Sequence, residues 1–280
     1  MKVSVIIPTH NEEKVIGECL ESLKLQSYKD MEVVVVDDGS TDNSKVKIQK
    51  SKFKSQNFRF LKQSHKGVGA ARNLGSEKAS GEILVFVDAD MTFAENFITK
   101  LVQPIIDQKT VGTFSKEEYL ANKDNVWARC WNINRGLPLD RMLPKNYPDK
   151  QKVFRAIKKS AFEGVGGFDE QAGYTDDYSL SDKLGVKAVA APGAKFYHKN
   201  PDSLKEVFIQ SRWVAKRKYK LGIVGSGIAL VRVFLPLSLI LGLILATYHL
   251  LPKFVIFKLI SDFGQFVGVL EYMLLGKVAK

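Results

Sequence analysis

Two cysteines, Cys19 and Cys130, are all that the 280 residues contain. So few, so far apart, exclude a disulfide scaffold and a thiolate zinc site, and they fit a reducing compartment. Glycine (21) and proline (9) stand at ordinary levels, and no internal repeat is visible, so collagen-like and low-complexity chains are excluded. With 45% hydrophobic and 26% charged residues, the chain is globular rather than disordered, and its length suggests about two domains. A strand-like run begins at Val3, leaving no room for the charged head and apolar body of a signal peptide, so none is expected. Acid is scarce in one region only. Residues 195–280 carry 13 Lys/Arg against 4 Asp/Glu, so most of the net charge of +12 belongs to the tail.

That tail contains a basic cluster, Arg212, Lys216, Arg217, Lys218 and Lys220, followed by a glycine-rich stretch and an apolar run. Residues 233–251 hold no Asp, Glu, Lys or Arg. As a helix this run reaches about 28 Å, close to the thickness of a bilayer core, and Pro236 is tolerable there. A buried core helix is the alternative. The next run, 254–276, carries Lys258, Asp262 and Glu271, and fits either a second span or an interfacial helix. Basic residues on both flanks put the large N-terminal part on the cytoplasmic side of a cell membrane. Residues 201–221 resemble a basic amphipathic interfacial helix: Ser203 and Glu206 form a capping-box pattern, and Leu204, Val207, Phe208 and Val214 fit a stripe. A linker helix packed on its own domain fits the same pattern. A nucleic-acid partner is not expected, because the basic residues abut an apolar run rather than spread over a folded face.

The first 200 residues alternate strands and helices. The runs at 3–7, 33–36 and 83–87 are short and apolar, and the last two lack polar alternation, as strands covered on both faces do. Between the first two lies a helical pattern (Val15, Ile16, Cys19, Leu20, Leu23) with Asn11 as its expected N-cap, and another helix runs from Val68 to about Lys78. This order predicts an α/β domain with right-handed crossovers and a mostly parallel, Rossmann-like sheet.

Each run stops at a polar cluster: Pro8-Thr9-His10-Asn11-Glu12, Asp37-Asp38-Gly39-Ser40-Thr41-Asp42, and Asp88-Ala89-Asp90. Ligands bind beyond the carboxyl ends of strands in an open parallel sheet, so three such ends make one candidate site. Asp88 and Asp90, two apart on an extended chain, project to one side. Paired carboxylates repel unless a cation lies near, and hard oxygen ligands suit Mg2+ or Mn2+. By itself the pair fits a turn or a helix cap equally well. Asp37 and Asp38 fit either a turn or a contact to a ribose or base. Gly67-Val68-Gly69 is a poor dinucleotide fingerprint, since it does not follow the first strand and lacks the third glycine.

Together with Gly67-Val68-Gly69-Ala70-Ala71-Arg72-Asn73 and Gly166-Gly167-Phe168-Asp169-Glu170, these clusters stand in an order that resembles family-two glycosyltransferases. The resemblance covers roughly residues 1–220. It implies a GT-A fold over residues 1–200; the charge and hydropathy pattern adds the amphipathic segment 201–221 and a membrane-anchoring segment 222–280 of one or two helical spans. It also implies transfer of a sugar from a nucleotide-diphosphate donor with inversion. Carried over by position, Thr9, Glu12, Asp37, Asp38, Arg72 and Asp88 would bind the nucleotide. Asp88 and Asp90 would hold the metal, with Asp90 the direct ligand, joined by His198 of Phe196-Tyr197-His198, which fits a phosphate contact or a structural role as well. Gly166, Gly167 and Asp176 would face the acceptor, and Asp177 would be the catalytic base, although acids opening a helix also suit its dipole. Gln210-Ser211-Arg212-Trp213 is one residue short of the processive-synthase motif, so Arg212 is expected to face phosphate or lipid headgroups. The expected protein is therefore an inverting, metal-dependent hexosyltransferase acting on a lipid-linked or membrane acceptor. The competing reading is a noncatalytic, membrane-tethered nucleotide-sugar-binding protein.

Overall fold

The computed structural model describes residues 1–51, 53, 57–144, 146–171 and 176–276, apart from the side chain of Asp176. The chain divides into two compact units that are not contiguous in sequence: Met1–Tyr119 with Leu143–His198, and Leu120–Met142 with Lys199–Lys280. A linear reading draws the first domain unbroken to residue 200. The excursion 120–142 instead belongs with the C-terminal helices, because the apolar side of its helix has partners there.

In the first unit, β1 (Val3–Thr9), β2 (Met31–Asp38), β3 (Phe58–Gln63) and β4 (Ile83–Phe86) are mutually parallel. They continue into β9 (Ala156–Lys158), β6 (Gly112–Phe114), β10 (Ala188–Ala190) and β8 (Lys150–Gln151), giving the order β3-β2-β1-β4-β9-β6-β10-β8. Pairs β4–β9, β9–β6 and β10–β8 are antiparallel and β6–β10 is parallel, so β9 and β8 run against the other six strands and the sheet is mostly parallel, as expected. The continuous apolar runs are explained by burial on both faces. Val3, Val5 and Ile7 pack in one cluster with Val33, Val35, α1 (Ile16–Lys24) and α4 (Phe97–Ile106), whereas Ile6 packs in another with Val34, Val36, Ala71 and Phe162. Strand order reverses between β1 and β4, the switch point at which such sheets bind ligands. A smaller sheet, β5-β11-β7, comprises Met91–Phe93, Phe196–His198 and Glu118–Leu120.

The second helix of this unit is α2 (Ser44–Gln49), and α3 covers Val68–Lys78 as expected. Asn11 does not cap α1, which starts five residues later. It adopts a left-handed backbone (φ 59°), and its Oδ1 accepts from Thr41 N at 2.8 Å while its own N–H donates to Ser40 Oγ at 2.9 Å. Its polar side chain ties the end of β1 to the loop after β2, a local bonding pattern that Asn tolerates well.

The second unit consists of α5 (Val126–Asn134) and α8 to α11 (Leu204–Ala215, Gly222–Arg232, Leu235–Tyr248, Phe254–Leu275). Cys130 and Ile133 of α5 share a core with Val207, Phe254 and Phe257. Asn200 donates to Ala128 O and Asn132 Oδ1, closing this core with satisfied polar groups. Ser203 caps α8 by accepting from Glu206 N, as its pattern predicts. The buried face of that helix is Val207, Ser211 and Ala215, not the stripe through Phe208 and Val214. The reason is close packing on α11: a Cβ at Gly264 would stand 2.7 Å from Phe208 O, and one at Gly268 2.2 Å from Arg212 O. Arg212 pairs with Glu271, which also takes Lys216 at 2.8 Å, so the expected headgroup contact of Arg212 gives way to an ion pair.

The run 233–251 is not one long helix. Pro236 sits in the first turn of α10, which α9 precedes after a 54° bend, and Leu250 (φ 50°) ends it. The 14 residues of α10 span about 21 Å, short of a bilayer core. Among the described residues no single helix is long and apolar enough to cross a membrane, although the bent α9–α10 pair matches a span in length and composition.

Candidate active site

Parallel pairing fixes the site before any side chain is placed. The register sets Thr9 beside Asp37, and β4 lies on the other side of β1, so the polar ends of β1, β2 and β4 occupy one rim of the sheet. Thr9 is buried and its Oγ1 has no hydrogen-bond partner among the described residues, an orphan that a ligand could satisfy.

Arg72 organises the rim from α3. Its Nη2 donates to Asp88 Oδ1 at 3.0 Å, and its Nη1 donates to Asp177 in the first turn of α7 (Asp176–Leu184). The guanidinium also lies over the Phe168 ring, 5.4 Å from its centroid. Arg155, just before β9, donates Nη1 to Asp88 Oδ2 at 3.1 Å and lies over Phe196. Burial alone pushes the Asp88 carboxyl up, but Arg155 and Arg72 override it and hold it well below the usual carboxylate range.

Asp90 meets His198 from β11, whose Nε2 lies 2.9 Å from Asp90 Oδ2, while Nδ1 lies 2.8 Å from Glu118 Oε1 on β7. Burial opposes charge on this imidazole, but Asp90 and Glu118 outweigh it and push it well above its ordinary value. The result is an imidazolium donating to two carboxylates. Glu12 has the opposite fate: burial first, then Asp90 and Asp88, push its carboxyl up to about 8. It is a neutral acid at pH 7, able to donate a hydrogen bond.

The two other acids of β2 are differently employed. Asp38 accepts from Gln63 Nε2, His65 Nδ1, Lys66 N and Gly67 N, all within 2.9 Å, and Asp37 accepts from Ser40 N at 2.9 Å. Asp38 thus acts as a staple that fixes the loop leading into α3, and so places Arg72; the expected contact to base or ribose is not open while these bonds stand. His10 stacks on His65 with centroids 4.2 Å apart and planes 25° apart. With Asp38 they form a cluster of metal-ligating types. Nearly parallel rings cannot both aim a lone pair in-plane at one ion, so stacking is the better account of this pair.

Gly166 and Gly167 both have positive φ (70° and 68°), and a Cβ on Gly167 would stand 2.6 Å from Asn73 Oδ1. The turn is pinned there because Asn73 accepts from Phe168 N and donates to Phe168 O. The side chain of Asp176, expected at the acceptor side, lies outside the described residues.

A divalent cation fits part of the expected ligand set. Asp90 Oδ1 is buried and unpartnered among the described residues, which suits a hard cation. Asp88 fits less well as it stands, since a guanidinium donates to each of its oxygens and brings positive charge beside it. His198 fits only if Nε2 gives up its proton. The site therefore gathers Asp88, Asp90, Asp177, Arg72 and His198, with Glu12 electrostatically coupled to it, while Asp38 is bonded within its own loop and Asp37 stands beside Thr9 at the rim. Arg155 and Glu118 were not legible beforehand: neither belongs to a repeated spacing, and only the pairing of β9 with β4 and of β7 with β11 brings them in.

An open α/β sheet with an acidic rim at its switch point defines the class as an α/β protein that binds a ligand at its strand ends. The family model described as glycosyl transferase family 2 matches residues 4–166, more than half of the chain. Glycosyltransferase GlyG of Streptococcus pneumoniae is 38% identical over 104 residues, covering 37% of this chain and 35% of its own. The GalNAc(5)-diNAcBac-PP-undecaprenol beta-1,3-glucosyltransferase of Campylobacter jejuni is 34% identical over 104 residues, covering 36% and 34%. The mannosyltransferase PcManGT of Pyrobaculum calidifontis, solved with GDP-Man and Mn2+, superposes with a TM-score of 0.60 at 20% identity, over 94% of this chain and 86% of that one. The chain spans about a third of the length of these two sequence relatives. It belongs to glycosyl transferase family 2.

Proposed function

We propose that the chain transfers a sugar, with inversion, from a nucleotide-diphosphate donor to a lipid-linked acceptor at the cytoplasmic face of a membrane. The observation that carries this reading is the convergence of Asp88, Asp90 and Asp177 on Arg72 and His198, with one buried Asp90 oxygen left open. Thr9 and the neutral Glu12 carboxyl line the donor end of the rim. Asp90 and His198 would hold Mg2+ or Mn2+, which when bound neutralises charge on the departing diphosphate. Arg72 spans the gap between the donor side, at Asp88, and Asp177. Asp177 then accepts the proton of an acceptor hydroxyl as its oxygen attacks the anomeric carbon from the face opposite the diphosphate. Orientation of donor and acceptor in line supplies much of the remaining rate. With a phosphate acceptor, Asp177 has less to do, and its pairing with Arg72 serves to position rather than to deprotonate.

Membrane association rests on the surface of the helical unit. Ile223, Val224, Val231, Phe234, Leu235, Ile240, Leu243 and Ile244 are each more than half exposed, an apolar surface far larger than scattered single residues explain. The basic residues 216–220 precede it, which suits an anionic leaflet. The α9–α10 pair would lie in the interface or enter it as a bent element. The deciding experiment offers a panel of labelled nucleotide sugars to membranes containing the protein and separates lipid from aqueous product. Label in the lipid fraction, lost with Asp90→Asn, supports the proposal; binding of a nucleotide sugar with no transfer to any fraction would favour the noncatalytic reading.

A further inference from the structure

The mechanism above leaves Arg155 without a task, yet its backbone and its side chain are both held in place. Its backbone is fixed between two strands: Arg155 N donates to Thr113 O and its carbonyl accepts from Phe86 N, both at 2.9 Å. Its side chain is 15% exposed and lies over the Phe196 ring, 5.7 Å from the centroid. Its Nη1 reaches the Asp88 oxygen that Arg72 does not use. Asp88 thus has one guanidinium on each oxygen, whereas among the described residues Asp90, two residues on, has a single imidazole and an open oxygen. An Asp-x-Asp pair is chemically symmetrical in sequence, and these contacts make it unequal.

We propose that Arg155 is a positioning residue that, with Arg72, clamps Asp88 out of cation binding and leaves Asp90 as the carboxylate ligand of the site. Planar guanidinium groups suit this task, because each presents fixed N–H donors to a carboxylate and stays charged at any working pH. The clamp has two consequences. The two positive charges flanking Asp88 weaken binding of a free cation, since like charges close together in a partly buried site repel. They also fix Asp88 and Arg72 as one rigid unit, so the N–H groups of Arg72 stay aimed at the rim. The cation is then expected to bind well only together with an anionic diphosphate, which offsets the arginines. This inference rests on the metal-dependent reading of the site.

The test measures Mn2+ binding to the purified full-length chain without nucleotide, by electron paramagnetic resonance, for wild type, Arg155→Met, Arg155→Lys, Asp88→Asn and Asp90→Asn. Removing the Arg155 charge and freeing one Asp88 oxygen should tighten Mn2+ binding about tenfold, the low end of what outer-shell partners contribute. Arg155→Lys restores the charge and should return the affinity toward wild type. Asp88→Asn, which removes a carboxylate that does not ligate, should leave Mn2+ affinity within a few fold, while Asp90→Asn should abolish it. If Arg155→Met binds Mn2+ no tighter than wild type while Asp90→Asn loses it, the clamp is wrong and the metal reading stands. If Asp88→Asn loses Mn2+ as completely as Asp90→Asn, the clamp is wrong on a variant that leaves Arg155 in place. If Asp90→Asn binds like wild type, the metal assignment falls and takes the clamp with it.

Discussion

Glu12 should be a liability to the fold, and its removal should show how much. Burial together with Asp90 and Asp88 lifts its carboxyl from 4.5 to about 8. A group whose folded value exceeds its unfolded value binds more protons when folded, so stability falls as pH rises from the unfolded value through the folded one. Each unit is worth about 1.36 kcal/mol, so at pH 7 the interval above 4.5 costs about 3 kcal/mol, and above pH 9 the full shift costs about 5 kcal/mol. These are upper figures, because the side chain is only partly shielded from water. Glu12→Gln keeps the shape and the donor capacity and cannot ionise. In urea unfolding with a chelator present, the variant should match wild type near pH 4, exceed it by up to about 3 kcal/mol at pH 7, and exceed it further at pH 9. A variant that is equally stable, or less stable, across that range refutes the electrostatic account of the rim. The same substitution should also flatten any change in donor binding between pH 7 and 9, because ionised Glu12 would add a negative charge beside Asp88 and Asp90.

At the opposite end of the sheet, Glu32 behaves in the reverse sense. Burial raises its carboxyl, but bonds from Ser4 and Ser80 and the nearby Lys2 charge outweigh it and bring it to about 2. Its stabilisation is present above 4.5 and lost as pH falls through about 2, so Glu32→Gln should lose about 3 kcal/mol at neutral pH, with the gap to wild type closing in acid melts. Asp177→Asn should keep donor affinity, measured by calorimetry, and slow transfer to a hydroxyl acceptor by about 10²–10⁴-fold, the usual worth of general base catalysis; wild-type turnover would remove Asp177 from that role. Ile240→Glu combined with Ile244→Glu places two charges on the exposed face of α10 and should shift the protein from the membrane fraction to the soluble one, whereas unchanged partition would mean that this face does not meet the bilayer.

Much of the first unit could be read along the chain because its signals are local or periodic. Apolar runs without alternation mark strands covered on both faces, and the helix over 68–78 follows from the glycine-rich turn that opens it. The gathering of Asp88, Asp90 and Asp177 was legible through the ordered motifs, the first two after a strand end and the third in the first turn of α7. Context was harder to read. The Asp38 carboxylate accepts from two loop N–H groups together with the Gln63 and His65 side chains, bonds that no local pattern announces. Asn11 looks like a cap and serves as a tie between loops. The apolar stretch 233–251 has the composition of a span, yet Pro236 and Leu250 cut it to a 14-residue helix.

The sequence by itself determined the α/β class and the acids at three strand ends, because burial and turn chemistry write those features in neighbouring residues, and its ordered motifs carried the resemblance to the family. The tertiary structure alone decided which side chains partner Asp88 and Asp90, and that segment 120–142 joins the helical unit. Those outcomes depend on where Arg155, Glu118 and the apolar side of α5 arrive after the chain has folded. Partners so distant along the chain leave no periodic trace, since a guanidinium acts through space and carries no record of the carboxylate it will meet.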